Sequence, residues 1–163
     1  MTLTLLLILA GLHFLVEDRS LLYFSVADIR QGQVWRLVTG HFVHADLQHL
    51  AWNCLGLAIL GFMLERHSSS NWLAALVTGI ASVNLLLFSS FSPLDYYCGL
   101  SGVLNTLLLV LLWLEWRLTR SRFVMVVAIG ALAKAFIEVY VGESLVTHIS
   151  WPPYAWSHVA GLC

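Results

Sequence analysis

The chain has 163 residues, of which 60% are hydrophobic and 10% are charged, and its mean hydropathy is +0.84. Soluble domains carry about 45–50% apolar and about 25% charged residues, so this composition indicates an integral membrane protein surrounded by membrane lipid. The net charge of −1, with eight basic residues in all, argues against a nucleic-acid partner, because such a partner requires a basic face.

Apolar segments along the chain predict five membrane helices and the beginning of a sixth. They lie at about residues 2–16, 50–64, 72–88, 102–114, 123–142 and 154–163. Several are shorter than the roughly 20 residues that span a bilayer, so we expect some helices to reach into the flanking loops. The one long polar insertion, 17–49, predicts a structured loop outside the hydrocarbon. No linker or internal repeat divides the chain, so we predict a single all-α domain over 1–163, a polytopic membrane helical bundle.

Arginines in the short loops predict the orientation of these helices. Three arginines follow the fourth helix and Arg66 follows the second, whereas the loops around Asp95 and Glu143 have no basic residue. The positive-inside rule places the arginine-bearing loops in the cytoplasm. Helices two, four and six then all begin at the opposite, non-cytoplasmic face.

Polar residues at the starts of these three helices predict one site. His49 and Asn53, at the start of helix two, are four residues apart and therefore share one helix face. Helix four offers Ser101 near its first turn, and helix six offers His158 near its own first turn. Polar side chains at membrane depth usually face the protein interior or a water-filled cavity, so we expect the four residues to line a single hydrated cavity.

These residue types are the ones that acyl transfer requires. The reaction needs a nucleophile, a base that takes its proton, and donors aimed at the developing oxyanion. Ser101 can be the nucleophile and His158 the base, while His49, Asn53 and the backbone N–H of Ser101, at the positive end of a helix, can be the oxyanion donors. The glycines on both sides of Ser101 allow a substrate backbone to approach closely.

Each element also has an ordinary structural interpretation. A Gly-x-Ser-Gly sequence in a membrane helix is typical of small-residue helix packing, and His158 alone is compatible with an interhelical hydrogen bond. His49 and Asn53 alone are compatible with a polar contact between helices. Packing does not require all four to lie together, so their joint placement favours catalysis.

Metal and cofactor sites are not predicted. His41 and His44 precede helix two, but no carboxylate or cysteine is placed to complete a metal site with them. Cys54, Cys98 and Cys163 have no metal-type spacing, and we expect no disulfide framework.

The chain resembles the rhomboid family of intramembrane serine proteases over nearly its whole length. The motifs that carry the resemblance are Trp35-Arg36, Gly40-His41-Phe42-Val43-His44, His49 with Asn53, Glu65, Gly99-Leu100-Ser101-Gly102, and His158 with Gly161. The resemblance implies a Ser101/His158 dyad without a catalytic aspartate, and oxyanion donors from His49, Asn53 and the Ser101 backbone. It also implies hydrolysis in or next to the transmembrane segment of a protein substrate, with no metal or cofactor.

A narrower resemblance is to the rhombosortase branch of this family. It rests on the compact length, on Lys134 and Glu138 in helix five, and on the following Gly142-Glu143-Ser144-Leu145. It implies single-pass or C-terminally anchored substrates with a Gly-Gly sorting tail, processed on the outer side of a bacterial inner membrane. Lys134 and Glu138 also have two interpretations of their own: an i,i+4 ion pair that neutralises both charges in an apolar helix, or a role in reading substrate.

Two features depart from the family pattern. Many members carry an aromatic residue one turn after the serine, packed against the catalytic histidine, and this chain has Asn105 there. The sequence therefore leaves open what orients His158. Only 159–163 follow His158, so the sixth helix is truncated to about 10 residues where about 20 are needed, and we expect weak or absent activity if the chain ends at Cys163.

The sequence thus predicts a six-helix intramembrane serine protease of the rhomboid type, with rhombosortase-like substrates. The alternative is an inactive rhomboid-like protein that binds transmembrane helices, but such proteins usually lack the serine or the histidine. A channel or transporter is a weaker option, because the chain has no paired half-helices or repeated halves.

Overall fold

Helices make up most of the computed structural model, which describes residues 1–90, 92–141 and 154–162. Within those ranges the helices are α1 (Thr2–Leu15), α2 (Val26–Arg30), α3 (Arg36–Thr39), α4 (Leu47–His67), α5 (Ser69–Phe88), α6 (Ser101–Thr119), α7 (Arg122–Val141) and α8 (Ala155–Ala160). A 3₁₀ turn covers Arg19–Leu22, and strands β1 (Phe24–Ser25) and β2 (Tyr96–Tyr97) pair antiparallel. The predicted fold class, a polytopic helical bundle, is confirmed.

Four of the described helices are long and apolar enough to cross a membrane: α4, α5, α6 and α7. Helix α1 is apolar but has 14 residues. Large apolar side chains such as Ile59, Val77, Leu85 and Ile129 are exposed on the outside of the bundle, where lipid would solvate them. The chain is therefore an integral membrane protein. The single-domain assignment over 1–163 stays a prediction.

Several helices extend beyond the predicted apolar segments. Helix α4 begins at Leu47, not near 50, because Asp46 caps it by accepting a hydrogen bond of 2.7 Å from the backbone N–H of His49. Helix α5 begins at Ser69 after a similar cap by Ser68, and α6 continues to Thr119, five residues beyond the predicted end. Apolar composition marks the part of a helix inside the hydrocarbon, whereas caps decide where the helix ends.

The bundle core lies between α1, α4, α5 and α6. Leu50, Leu57 and Leu64 of α4 are buried in this core, as are Val103 and Leu107 of α6. Small residues bring the helices close together: a Cβ on Gly79 of α5 would lie 2.8 Å from the hydroxyl oxygen of Thr106 in α6. This is the packing that membrane helices favour, because lipid offers no hydrophobic gain for bulky contacts.

The polar segment 17–49 folds around a buried arginine, Arg36. Its guanidinium donates hydrogen bonds to the carbonyl oxygens of Ser20 and Tyr23 at 2.9 and 2.7 Å and to Oε1 of Gln33 at 2.8 Å. The pairing of Phe24 with Tyr97 then joins this segment to the residues that precede α6. The loop is structured, as predicted, and it supports the start of the helix that carries Ser101.

Candidate active site

Ser101 is the first residue of α6, at the end of a backbone segment that is held on both sides. The N–H of Gly99 donates to the carbonyl oxygen of Gly40 at 3.0 Å, and the Tyr97 hydroxyl donates to the carbonyl oxygen of Gly99, also at 3.0 Å. Gly99 has φ +118°, a conformation that L side chains rarely adopt. As an N-terminal residue of the helix, Ser101 has a backbone N–H with no carbonyl partner inside α6.

His158 of α8 lies beside Ser101. Its Nε2 atom is 3.0 Å from Oγ of Ser101, which is hydrogen-bond distance. His158 is 7% exposed, whereas Ser101 is partly exposed. The structure therefore brings the predicted nucleophile and base together.

The close packing of α8 on α6 sets this distance. Thr106 of α6 donates from its hydroxyl to the carbonyl oxygen of Gly161 at 2.7 Å. A Cβ on Gly161 would overlap the carbonyl oxygen of Gly102, and a Cβ on Gly102 would lie 2.8 Å from the carbonyl oxygen of Ser157. Glycine at both positions is what allows the two backbones to approach.

Glu138 of α7 is a site residue whose contact with His158 was not predicted from the sequence. Its Oε2 atom lies 2.8 Å from Nδ1 of His158, and the Glu138 side chain is fully buried. Both of its carboxylate oxygens also lie 2.7 Å from Nζ of Lys134, so the i,i+4 ion pair, one of the two interpretations of these residues, is present. The signal available in the sequence was a single carboxylate in an apolar helix, near the end that faces Ser101.

His49, one of the two predicted oxyanion donors, faces the segment before Ser101. A Cβ on Gly99 would lie 2.6 Å from both Cε1 and Nε2 of His49, so the ring packs directly against that glycine. Asn53 is buried one turn further along α4, and its amide nitrogen donates to the carbonyl oxygen of His49 at 2.9 Å. The described hydrogen bond of Asn53 is thus to the backbone of α4. That either residue serves as an oxyanion donor stays a prediction.

Asn105 does not take the place of the aromatic residue that many family members have. Its amide nitrogen donates to the carbonyl oxygen of Ser101, four residues earlier, at 3.0 Å. The described polar contacts of the His158 ring are those to Ser101 and Glu138.

Buried histidines extend the polar region outward from the site. The rings of His44 and His49 meet edge to face with their centroids 4.9 Å apart, and His41 bonds through Nε2 to Oδ1 of Asn84 at 3.0 Å. Burial lowers the pKa of His41 from 6.5 to about 4. It lowers the pKa of His44 to about 3, with nearby His49 adding to the effect. Both loop histidines are therefore neutral at pH 7.

Tyr97, next to Ser101 and Ser157, is also held in its neutral form. Burial raises the pKa of the Tyr97 hydroxyl to about 12, although neighbouring hydroxyls oppose the shift. Burial likewise raises the pKa of the Cys98 thiol to about 12, so this cysteine is a thiol and not a nucleophilic thiolate. Among the described residues of this region, Ser101 is thus the one whose hydroxyl lies within hydrogen-bond distance of an imidazole.

Fold and site together define a polytopic helical membrane protein with a serine–imidazole pair where two of its helices begin. The family model described as "Rhomboid domain" matches residues 31–163. The chain therefore belongs to the rhomboid family. It is 36% identical over 89 residues to rhomboid protease GluP of Bacillus subtilis (strain 168), a match that covers 52% of this chain and 17% of that relative's length.

Proposed function

We propose that this chain is an intramembrane serine endopeptidase that hydrolyses a peptide bond in or next to the transmembrane segment of a protein substrate. The observation that carries the proposal is the 3.0 Å separation between Nε2 of His158 and Oγ of Ser101. Membership of the rhomboid family, and similarity to a protein named as a rhomboid protease, support the same reaction class.

In this reaction Oγ of Ser101 attacks the carbonyl carbon of the scissile bond while Nε2 of His158 takes the hydroxyl proton. The resulting oxyanion accepts hydrogen bonds from the Ser101 N–H, His49 and Asn53. His158 then gives its proton to the leaving amine, and the C–N bond breaks to leave an acyl-enzyme on Ser101. A water molecule, deprotonated by His158, hydrolyses this ester and restores the serine.

The location of the site favours cleavage at the non-cytoplasmic face. Ser101 begins α6, whereas Arg117 and Arg120 lie at the other end of the same helix, and the positive-inside rule assigns arginine-rich ends to the cytoplasm. The arginines are held there by their aromatic neighbours, with Arg117 4.8 Å above the ring of Trp113 and Arg120 4.5 Å above that of Trp116. Ser101 would therefore be close to a substrate peptide bond that lies at the non-cytoplasmic surface of the membrane.

The substrate class that we propose is a membrane-anchored protein with a C-terminal Gly-Gly sorting tail, in a bacterial inner membrane. Two adjacent glycines present a backbone without side chains, which suits a nucleophile bordered by the close-packed Gly99 and Gly102. The resemblance to the rhombosortase branch, carried by Lys134 and Glu138, supports the same choice.

Cleavage of a defined substrate in vesicles tests this proposal. The chain is co-reconstituted with a single-pass protein that carries a Gly-Gly tail, and with a matched substrate in which both glycines are alanine. We expect wild-type protein to release the ectodomain of the Gly-Gly substrate and Ser101→Ala to release none. Equal cleavage of both substrates would reject the tail specificity, and equal cleavage by Ser101→Ala would reject the mechanism.

A further inference from the structure

Glu138 stands out in α7 because of the direction that it faces. Of the 20 residues in this helix, the two that are buried are Ala135 and Glu138, and large apolar residues such as Ile129 and Phe136 are exposed. The helix therefore turns its apolar residues toward lipid and its carboxylate toward the protein. Ionisable groups inside a membrane protein are costly and commonly have a functional partner.

The partner that Glu138 meets across the helix interface is the imidazole of His158. The distance of 2.8 Å from Oε2 to Nδ1 fits a charge-assisted hydrogen bond. An ionised carboxylate can only accept hydrogen bonds, so Nδ1 must carry the proton. In the neutral ring Nε2 is then unprotonated, which is the form that can accept the proton of Ser101, 3.0 Å away.

Lys134 supplies a positive charge beside the Glu138 carboxylate in this apolar setting. Its ammonium lies 2.7 Å from each carboxylate oxygen, while its own side chain is 40% exposed. The buried anion is therefore neutralised by a cation that retains contact with the surroundings. The arrangement places an ammonium, a carboxylate, an imidazole and a hydroxyl in one line of contacts.

We infer that Glu138 is a positioning residue that fixes the tautomer and orientation of His158, with Lys134 as its counter-ion. The inference rests on the proposed function and adds a third member to the Ser101/His158 pair. When His158 accepts the serine proton, the carboxylate stabilises the imidazolium that forms, without taking a proton itself. Glu138 also supplies the orientation that an aromatic residue at the position of Asn105 would otherwise provide.

A purely structural role for the same residues makes a different prediction. If Glu138 only neutralises Lys134, then removing both charges together leaves this part of the helix uncharged and the reaction unchanged. If Glu138 positions His158, the reaction stays slow in the double variant, because the imidazole has lost the carboxylate that fixes its tautomer and stabilises the imidazolium. The double variant Lys134→Met/Glu138→Gln distinguishes the two roles.

The experiment measures kcat and KM for cleavage in vesicles, and the rate of fluorophosphonate labelling, for the full chain and four variants. The variants are Glu138→Gln, Glu138→Asp, the double variant, and Glu115→Gln. Glu115 is the matched control, because it bonds to His67 at 2.8 Å away from the Ser101 site. Thermal unfolding of each variant in detergent shows which of them fold.

We expect kcat to fall by up to about 10⁴-fold in Glu138→Gln and in the double variant, the loss seen when the aspartate of a serine-protease triad is replaced by its amide. KM should change little, Glu138→Asp should recover part of kcat, and Glu115→Gln should match the wild type. A double variant with kcat within about threefold of the wild-type value would overturn the inference.

A spectroscopic measurement tests the same contact without depending on activity. The proton on Nδ1 of a histidine bonded to a carboxylate gives a strongly downfield NMR resonance. Among the described elements, Glu138 on α7 bonds to the His158 ring, Lys134 bonds to Glu138, and His49 on α4 interacts electrostatically with His158. Tyr97 on β2 interacts with Ser101 and Ser157 beside this ring. We expect the resonance in the wild type and in Glu115→Gln, and its loss or upfield movement in Glu138→Gln and His158→Ala.

The failure of this inference is distinguishable from failure of the proposed function. Wild-type protein that labels at Ser101, with an unchanged NMR resonance and unchanged kcat in Glu138→Gln, would overturn the role of Glu138 alone. Wild-type protein that neither labels nor cleaves would overturn the proposed function and this inference with it.

Discussion

The imidazole ring of His49 lies against the backbone of Gly99, so closely that a Cβ on Gly99 would fall 2.6 Å from two ring atoms. Gly99 also has φ +118° and sits two residues before Ser101. Two independent features therefore require glycine at position 99: its backbone conformation and the close approach of the His49 ring. Any side chain at position 99 would displace His49, the start of α6, or both.

Gly99→Ala should therefore abolish labelling of Ser101 and destabilise the fold. The matched control is Gly32→Ala, because Gly32 has φ +100° but a Cβ there would have no atom within 4 Å. We expect Gly32→Ala to cost about 1–3 kcal/mol of stability from backbone strain alone and to retain labelling. The measurement is labelling rate together with thermal unfolding, and equal labelling rates in the two variants would contradict the account.

Gly161→Ala should separate the two helices that carry the serine and the histidine. A Cβ there would overlap the carbonyl oxygen of Gly102 and lie 3.2 Å from Cβ of Asn105, so α8 must move away from α6. Overpacking of this kind costs about 1–3 kcal/mol, and a shift near 1 Å can cost about 100-fold in rate. The control is Gly130→Ala in α7, where a Cβ would have no atom within 4 Å. Both are compared in the cleavage assay, and wild-type kcat in Gly161→Ala would show that the contact does not position His158.

Removing either proposed oxyanion donor should lower kcat without raising KM to the same extent. His49→Ala and Asn53→Ala should each lower kcat by about 10²- to 10³-fold, because their donors act on charge that develops in the transition state. Asn84→Ala is the control, since Asn84 is bonded to His41 and to the carbonyl oxygen of Leu37. It should reduce stability by about 1–3 kcal/mol while its folded fraction keeps the wild-type kcat. The measurement is kcat and KM from steady-state kinetics. A change confined to KM would reject the role of His49 and Asn53 as oxyanion donors.

Because His41 and His44 are buried, we expect the free energy of unfolding to decrease on acidification. The unfolded chain binds protons on His41 and His44 below about pH 6.5, whereas the folded chain binds them only near pH 4 and pH 3. The unfolded state therefore holds more protons in this interval, and the free energy of unfolding decreases as the pH falls from about 6.5 toward 4. His44→Leu removes one of the two titrations, so its Tm should vary less with pH between about 4 and 7. An unchanged pH dependence in this variant would contradict the burial of His44.

Much of the fold was predictable because long apolar segments in a sequence indicate membrane helices. The boundaries were less predictable, since polar residues such as Gln48 and His49 belong to α4 through the cap of Asp46, not through hydropathy. The strands of two residues, Phe24–Ser25 and Tyr96–Tyr97, carry no periodicity at all. Their pairing depends on a tertiary contact that only the folded chain forms.

The pairing of Ser101 with His158 was predictable from the shared depth of two helix starts. The contact of Glu138 with His158 was not, because an i,i+4 partner at Lys134 already accounted for the carboxylate within its own helix. Deciding which face of α7 is turned inward requires the packing of α8, and that packing depends on close contact between Gly102 and Gly161. Helical spacing alone does not give this information.

Labelling of Ser101 is the most direct measurement of the central claim, that this hydroxyl is activated by His158. The detergent-solubilised chain is treated with a fluorophosphonate probe, and the modified peptide is identified by tandem mass spectrometry. Ser101→Ala and His158→Ala are compared with Ser70→Ala, a serine at the start of α5. We predict a single adduct on Ser101 in the wild type and in Ser70→Ala, and none in the other two variants. Labelling that persists in His158→Ala, or an adduct on another residue, would contradict the account.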